Sequence, residues 1–124
     1  MRSFLNPPQS DFKKEHTFDT RVTESARVKF KYPDRVPVIV ERSSKDADIP
    51  VMSKRKFLVP NDLTLGQFVF LIRKQLSLPP QKAIFMFIQN VIPPTAMLMS
   101  DIYTTKKDPD GFVYFLVCSE NTFG

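Results

Sequence analysis

Few side chains in this sequence could do covalent chemistry. Cys118 is the one cysteine and His16 the one histidine. A thiol nucleophile needs a base within hydrogen-bond reach and surroundings that favour the thiolate. Cys118 closes the apolar run Phe112-Val-Tyr-Phe-Leu-Val-Cys118, carries no local motif, and has only His16, far away in the chain, as a candidate base. It reads as a buried structural cysteine. One cysteine excludes an internal disulfide and a four-cysteine zinc site, and a lone histidine, expected to be exposed at a helix end, makes no metal site. There is no glycine-rich phosphate loop and no Gly-x-Ser-x-Gly elbow. The sequence implies no catalytic residue, no metal and no cofactor, which leaves a binding module as the stronger class.

The clearest binding pattern is Lys56-Phe-Leu-Val-Pro60. In an extended segment successive side chains project to opposite sides, so Lys56 and Leu58 face one way and Phe57 and Val59 the other. Such a strand can divide two apolar hollows. Lysine at its start and proline at its end keep an exposed sheet edge from unwanted pairing, which places this strand at an edge. The chain carries a net charge of +5, and the excess falls in residues 1 to 60, with 13 Lys and Arg against 8 Asp and Glu. A basic excess favours acidic partners. Nucleic acid, anionic lipid headgroups and acidic peptides all qualify, and composition does not choose among them.

The elements that must hold this strand follow from the order of the chain. At 124 residues the length suits one domain with a real core. Residues 1 to 9, with Asn6-Pro-Pro-Gln9, show no periodicity and read as a flexible arm. Ser10 caps a short helix over Asp11 to His16. A second helix spans about Asp19 to Lys31, with Val22, Ala26, Lys29 and Phe30 recurring at helical spacing as its inward stripe. Pro33-Asp34-Arg35 turns the chain into a strand over Val36 to Glu41. Val36, Val38 and Val40 form its core face; Pro37, Ile39 and Glu41 form a mixed face, either a groove floor or a plain outer surface. Thr64-x-x-Gln67 is a capping box opening an apolar helix through Leu76, stopped by Pro79-Pro80. Ala83 to Ile88 reads as a buried strand, Ser100 to Tyr103 as one helical turn, and Asp108-Pro-Asp-Gly111 as a turn leading into a central strand, Phe112 to Cys118. No run approaches the roughly 18 apolar residues of a membrane span, and there is no signal-peptide stretch, so a soluble polypeptide in a reducing compartment is expected.

Strand-strand-helix-strand-strand behind two N-terminal helices is the order of an α+β ubiquitin-like β-grasp, a four-stranded mixed sheet with one helix packed across it. Several blocks carry a closer resemblance: Tyr32-Pro-Asp-Arg-Val-Pro-Val-Ile-Val-Glu41, Lys56-Phe-Leu-Val-Pro60, Leu63-Thr-Leu-Gly-Gln-Phe68, Phe70-Leu-Ile-Arg73, Asn90-Val-Ile-Pro-Pro-Thr95 and Thr122-Phe-Gly124. In order and spacing, from about residue 11 to the end, the chain resembles the autophagy ubiquitin-like modifiers. These include the GABA-receptor-associated protein and microtubule-associated protein light chain 3. The resemblance implies a flexible arm (1–9), a helical subdomain (10–31) and a β-grasp with a conjugation tail (32–124).

It also implies a non-enzymatic modifier, cytoplasmic until its terminal glycine, Gly124, is joined to phosphatidylethanolamine on the autophagosomal membrane. Gly124 would be adenylated, pass through thioesters on activating and conjugating enzymes, and reach the lipid amine; in the family a cysteine protease commonly exposes the glycine first. A residue without a Cβ threads narrow catalytic channels that others cannot. Receptors and adaptors with acidic-flanked aromatic-x-x-aliphatic motifs would add a strand beside Lys56 to Val59. By the same resemblance the aromatic pocket is lined by Glu24, Val28, Pro37, Ile39, Lys56, Leu58 and Phe112, and the aliphatic pocket by Phe57, Val59, Pro60, Leu63, Phe68 and Leu71. Arg35 and Lys54 match positions that meet the motif's acidic residues. Gln75 departs from the basic residue usual after Arg73-Lys74, which bears on one acidic contact and on the protease. No nucleic-acid partner is expected on this reading. The alternative is an unconjugated basic β-grasp adaptor that binds peptides, cytoskeleton or RNA.

Overall fold

The computed structural model describes residues 10–43 and 46–120. The expected arm of residues 1 to 9, and Gly124, lie outside them. In chain order the elements are α1 (Asp11–Glu15), α2 (Phe18–Lys31), β1 (Arg35–Arg42), β2 (Lys56–Pro60), α3 (Leu65–Leu76), β3 (Ile84–Phe87), α4 (Met99–Lys106) and β4 (Val113–Ser119). The strands form one sheet in the order β2-β1-β4-β3. Its central pair, β1 with β4, is parallel, and both outer pairs are antiparallel. This is the mixed sheet of a ubiquitin-like β-grasp with two added N-terminal helices, and β2 stands at its edge.

Local chemistry sets the ends of the elements. Ser10 and Thr17 accept the N–H groups of Lys13 and Thr20 and so cap α1 and α2. Thr64 and Gln67 form the full reciprocal capping box on α3, whose last turn carries Arg73 and Lys74. Tyr32 leaves the helical region before Pro33, at φ −129° and ψ 71°. Gly111 sits at φ +94°, and its N–H bonds Asp108 O at 2.9 Å to close the turn before β4. A side chain at Gly111 would be strained there and would run into Ser25 Oγ.

The main core lies between α3 and one sheet face. Val36, Val38, Val40, Val113, Phe115 and Val117 come from the sheet, and Leu65, Phe68 and Ile72 from α3. Phe12, Ile39 and Phe112 make a smaller cluster on the opposite face, with Tyr114 packed against it.

The second helix departs from its apolar pattern. Of the residues expected to face inward, Phe30 is 90% exposed and Ala26 is exposed, while the buried residues of α2 are Arg21 and Ser25. The reason is that polar bonds anchor this helix. Arg21 Nε donates to Asp110 Oδ2 at 2.8 Å and Ser25 Oγ to Asp110 O at 2.5 Å. Hydrophobic periodicity cannot register a helix face that meets a buried acid. Lys29 is likewise turned to the carbonyls of Pro33 and Arg35, at 3.0 and 2.9 Å.

Three smaller differences share a cause in tertiary contact. The turn expected at Ser100 to Tyr103 is an eight-residue helix, Met99–Lys106, because Met99 and Ile102 are buried. His16 is half-buried rather than exposed, its ring 4.5 Å from that of Phe12. The mixed face of β1 is no plain outer surface. Pro37 and Ile39 are buried there, and Glu41 Oε2 accepts the Phe12 N–H at 2.9 Å.

Candidate functional site

β2 is the edge strand, with an apolar depression on its α3 side and α2 reaching it on the other. In the ladder Pro37 faces Leu58, Val38 faces Phe57 and Ile39 faces Lys56. Just before β2, Val40 N–H donates to Arg55 O at 2.8 Å. Residues of an antiparallel pair alternate between bonded and non-bonded positions, so Phe57 and Val59 direct their backbone groups toward β1, and Lys56 and Leu58 direct theirs outward. Pro37, which has no N–H to give, falls at a non-bonded position, and the parallel pairing with β4 starts one residue later, at Val38 with Val113. Among the described residues, the Leu58 carbonyl on the open edge accepts from the guanidinium of Arg35, at 3.4 Å.

On the α2 side, Lys56 Nζ bonds Glu24 Oε2 at 2.8 Å, which ties the edge strand to the helix. Leu58 is 37% exposed, while Ile39 and Phe112 are buried with Phe12 in the smaller cluster. Val28 lies one helical turn beyond Glu24 and is half-buried. Of the seven residues assigned by resemblance to an aromatic pocket, Glu24 and Val28 lie on α2, Pro37, Ile39, Lys56 and Leu58 on the paired strands β1 and β2, and Phe112 just before β4.

On the α3 side, Phe57, Val59, Pro60, Phe68 and Leu71 line a depression of about 490 Å³ together with Lys54 and with Leu58, a residue expected in the aromatic pocket. The Phe57 and Phe68 rings meet edge to face at 5.8 Å, and Lys54 Nζ stands 4.7 Å from the Phe57 ring. Lys74 and Gln75, outside the predicted set, also reach its rim. Leu63 does not line this depression. It lines a neighbouring apolar hollow with Gly66, Phe70 and Ala96, and Leu71 is the ridge shared by the two.

Several residues that shape the site carry no local signal. Asp110 is 1% exposed and accepts from Arg21, from the Phe112 N–H at 2.9 Å and from the Tyr114 hydroxyl at 2.5 Å. Burial, and then this bond, push the Tyr114 phenol well above its ordinary pKa. Arg55, one residue before β2, grips Glu15 through two bonds of 2.7 and 3.3 Å and so ties α1 to the edge strand. The hydrogen bond from Arg55 holds the Glu15 carboxyl below the usual glutamate range. The Asp-Pro-Asp-Gly turn was visible in the sequence, but nothing local marks its second aspartate as buried. A more enclosed cavity of about 350 Å³, bordered by Lys13, Glu41, Phe87, Gln89, Tyr114 and Leu116, contains none of the predicted site residues.

Comparison with known proteins agrees with this architecture. Residues 20–124 match the family described as "Autophagy protein Atg8 ubiquitin like". The chain is 55% identical over 115 residues to autophagy-related protein 8d of Arabidopsis thaliana, covering 93% of this chain and 95% of that protein. It is 54% identical over 116 residues to autophagy-related protein 8 of Pichia angusta, covering 94% and 92%. Among solved structures it is similar to Trypanosoma brucei ATG8, with a TM-score of 0.85 at 39% identity over 91% of this chain and 97% of that one. It is also similar to Plasmodium falciparum Atg8 in complex with an Atg3 peptide from the same organism, with a TM-score of 0.81 at 32% identity over 90% and 99%. With nearly the whole chain matched in sequence and in fold, this protein belongs to the Atg8 family of autophagy ubiquitin-like proteins.

Proposed function

We propose that this chain is a non-enzymatic modifier joined through Gly124 to phosphatidylethanolamine, and that it recruits receptors and adaptors whose acidic-flanked aromatic-x-x-aliphatic motifs dock along β2. On this reading it is cytoplasmic until conjugated and sits on the autophagosomal membrane afterwards. Its partners include activating and conjugating enzymes and a processing protease. The Atg3 peptide bound by the Plasmodium relative supports a conjugating-enzyme partner. The helices of residues 10–31 act as a subdomain that supplies one wall of the groove, and residues 32–124 supply the grasp and the tail.

The observation that carries the reading is the open edge of β2, with the outward backbone groups of Lys56 and Leu58 and an apolar depression beside it. An extended peptide meets those groups as an added strand, and its side chains fall alternately toward the two proposed pockets. Arg35 and Lys54 are exposed at the rim, placed for acidic neighbours of the motif. Exposed ion pairs are worth about 0.2 to 1 kcal/mol each, so the pockets dominate affinity.

Two measurements test the two halves of the proposal. A labelled acidic peptide containing Trp-x-x-Leu is titrated onto wild type and onto a Lys56→Ala, Leu58→Ala double variant. Affinity should fall at least about tenfold in the variant, and an unchanged titration sinks the groove assignment. Intact mass of the membrane-associated protein from its source cells, beside a Gly124→Ala variant, tests conjugation. A phosphatidylethanolamine-sized addition lost in the variant is expected, and equal membrane association of both forms without added mass discards it.

A further inference from the structure

Asp110 is bonded at once to α2 and to Phe112, which the proposed function takes as wall and floor of an aromatic hollow. On the wall side Arg21 Nε reaches Oδ2 at 2.8 Å, and Ser25 Oγ reaches the backbone oxygen at 2.5 Å. On the floor side Oδ1 accepts the Phe112 N–H at 2.9 Å. Arg21 and Ser25 are the buried residues of α2, and neither is apolar. They flank Glu24, whose carboxylate meets Lys56, and Ser25 precedes Val28 by one turn. The contact of α2 with the turn is also tight, because Gly111 leaves no room for a side chain against Ser25.

We infer that Asp110 is the positioning residue of the aromatic hollow: one buried carboxylate fixes the α2 wall against the Phe112 floor, and so holds the hollow in the shape that takes the motif's aromatic side chain. The inference rests on the reading of that hollow as a peptide pocket. Asn at this position keeps the size and can still accept from Phe112, but it places an amide N–H where Arg21 and Tyr114 both need an acceptor. The wall then shifts relative to the floor while β2, α3 and the aliphatic depression stay as they are.

The test is a double-mutant cycle between protein and peptide. Three synthetic acidic peptides carry Trp-x-x-Leu, Ala-x-x-Leu and Trp-x-x-Ala, and each is titrated by NMR onto wild type, Asp110→Asn and Ser25→Ala. Asp110→Asn is expected to weaken the Trp-x-x-Leu and Trp-x-x-Ala peptides about tenfold and the Ala-x-x-Leu peptide less than about twofold, a coupling to the aromatic position alone. Ser25→Ala removes the bond to the Asp110 carbonyl and the longer contact with Val22 O, and should show the same pattern at about threefold, which keeps the test alive if Asp110→Asn does not fold. Equal loss for all three peptides, or no loss, on a chain whose wild type binds Trp-x-x-Leu overturns the positioning role and leaves the groove standing. Failure of wild type to bind Trp-x-x-Leu defeats the groove reading, and the inference with it.

Discussion

Pro37 lies directly opposite Leu58 in the β1–β2 ladder, at a position where neither backbone bonds the other, so the Leu58 N–H points to the open edge. Substituting Leu58→Pro removes that donor without removing a bond of the sheet, and proline is tolerated on an edge strand. Peptide binding should fall at least about tenfold, from the lost backbone bond together with the altered side chain. Thermal unfolding should change little. Calorimetric titration beside a melting curve checks this, and a large fall in melting temperature would show that Leu58 belongs to the sheet's own pairing.

Leu71 and Leu63 separate the two hollows near α3. Leu71 is 47% exposed on the ridge between them, so Leu71→Ala should weaken a Trp-x-x-Leu peptide by about three- to tenfold. Leu63→Ala should leave it within about twofold, since Leu63 lines only the neighbouring hollow. Matching losses in the two variants would mean that the peptide spans both hollows and that the family-based assignment of Leu63 is right after all.

Glu15 and Arg55 make the docking of α1 acid-sensitive. Arg55 holds the Glu15 carboxyl below its ordinary value by hydrogen bonding and then by charge, against some desolvation. A folded pKa that is depressed contributes stability above the unfolded value, lost as pH falls through the folded value. The α1 contact is therefore complete at neutral pH and weakens once pH drops below about 4.3. The Phe12 amide, bonded to Glu41, reports this by its NMR shift. Glu41 also faces Arg55, at 3.8 Å, so Glu15→Gln separates the two carboxylates. That variant should lack the part of the acid transition due to Glu15, and an identical transition would show that Glu15 does not carry it.

Thr64 and Gln67 satisfy each other's backbone N–H groups at the start of α3. Thr64→Ala should cost about 1 kcal/mol and lower the melting temperature by about 4 °C for a domain of this size. Gln67→Ala should cost less, because only the return bond is lost. Chemical denaturation of both variants checks the order.

Much of the fold was legible because its rules are local. Ser10 and Thr64 mark helix starts by what their side chains can accept, Pro33 and Pro79 end helices by what a proline forbids, and Gly111 marks a turn that needs positive φ. Lys56 and Pro60 announced an edge strand, and the alternation of Phe57, Leu58 and Val59 announced two sides. The α2 face was misread because its anchors, Arg21 and Ser25, are polar and their partner lies 85 to 89 residues away.

The sequence by itself determined the elements, the β-grasp order and the edge strand, since caps, turns and strand alternation act between near neighbours in the chain. The tertiary structure alone decided which residues meet around that edge. It brought Glu24 to Lys56 across 32 residues, placed Leu63 in a hollow beside the Phe57 depression, and bonded Asp110 to both α2 and Phe112. Such contacts depend on the final positions of α2, the sheet and the Asp108-to-Gly111 turn, and no spacing within one segment encodes them.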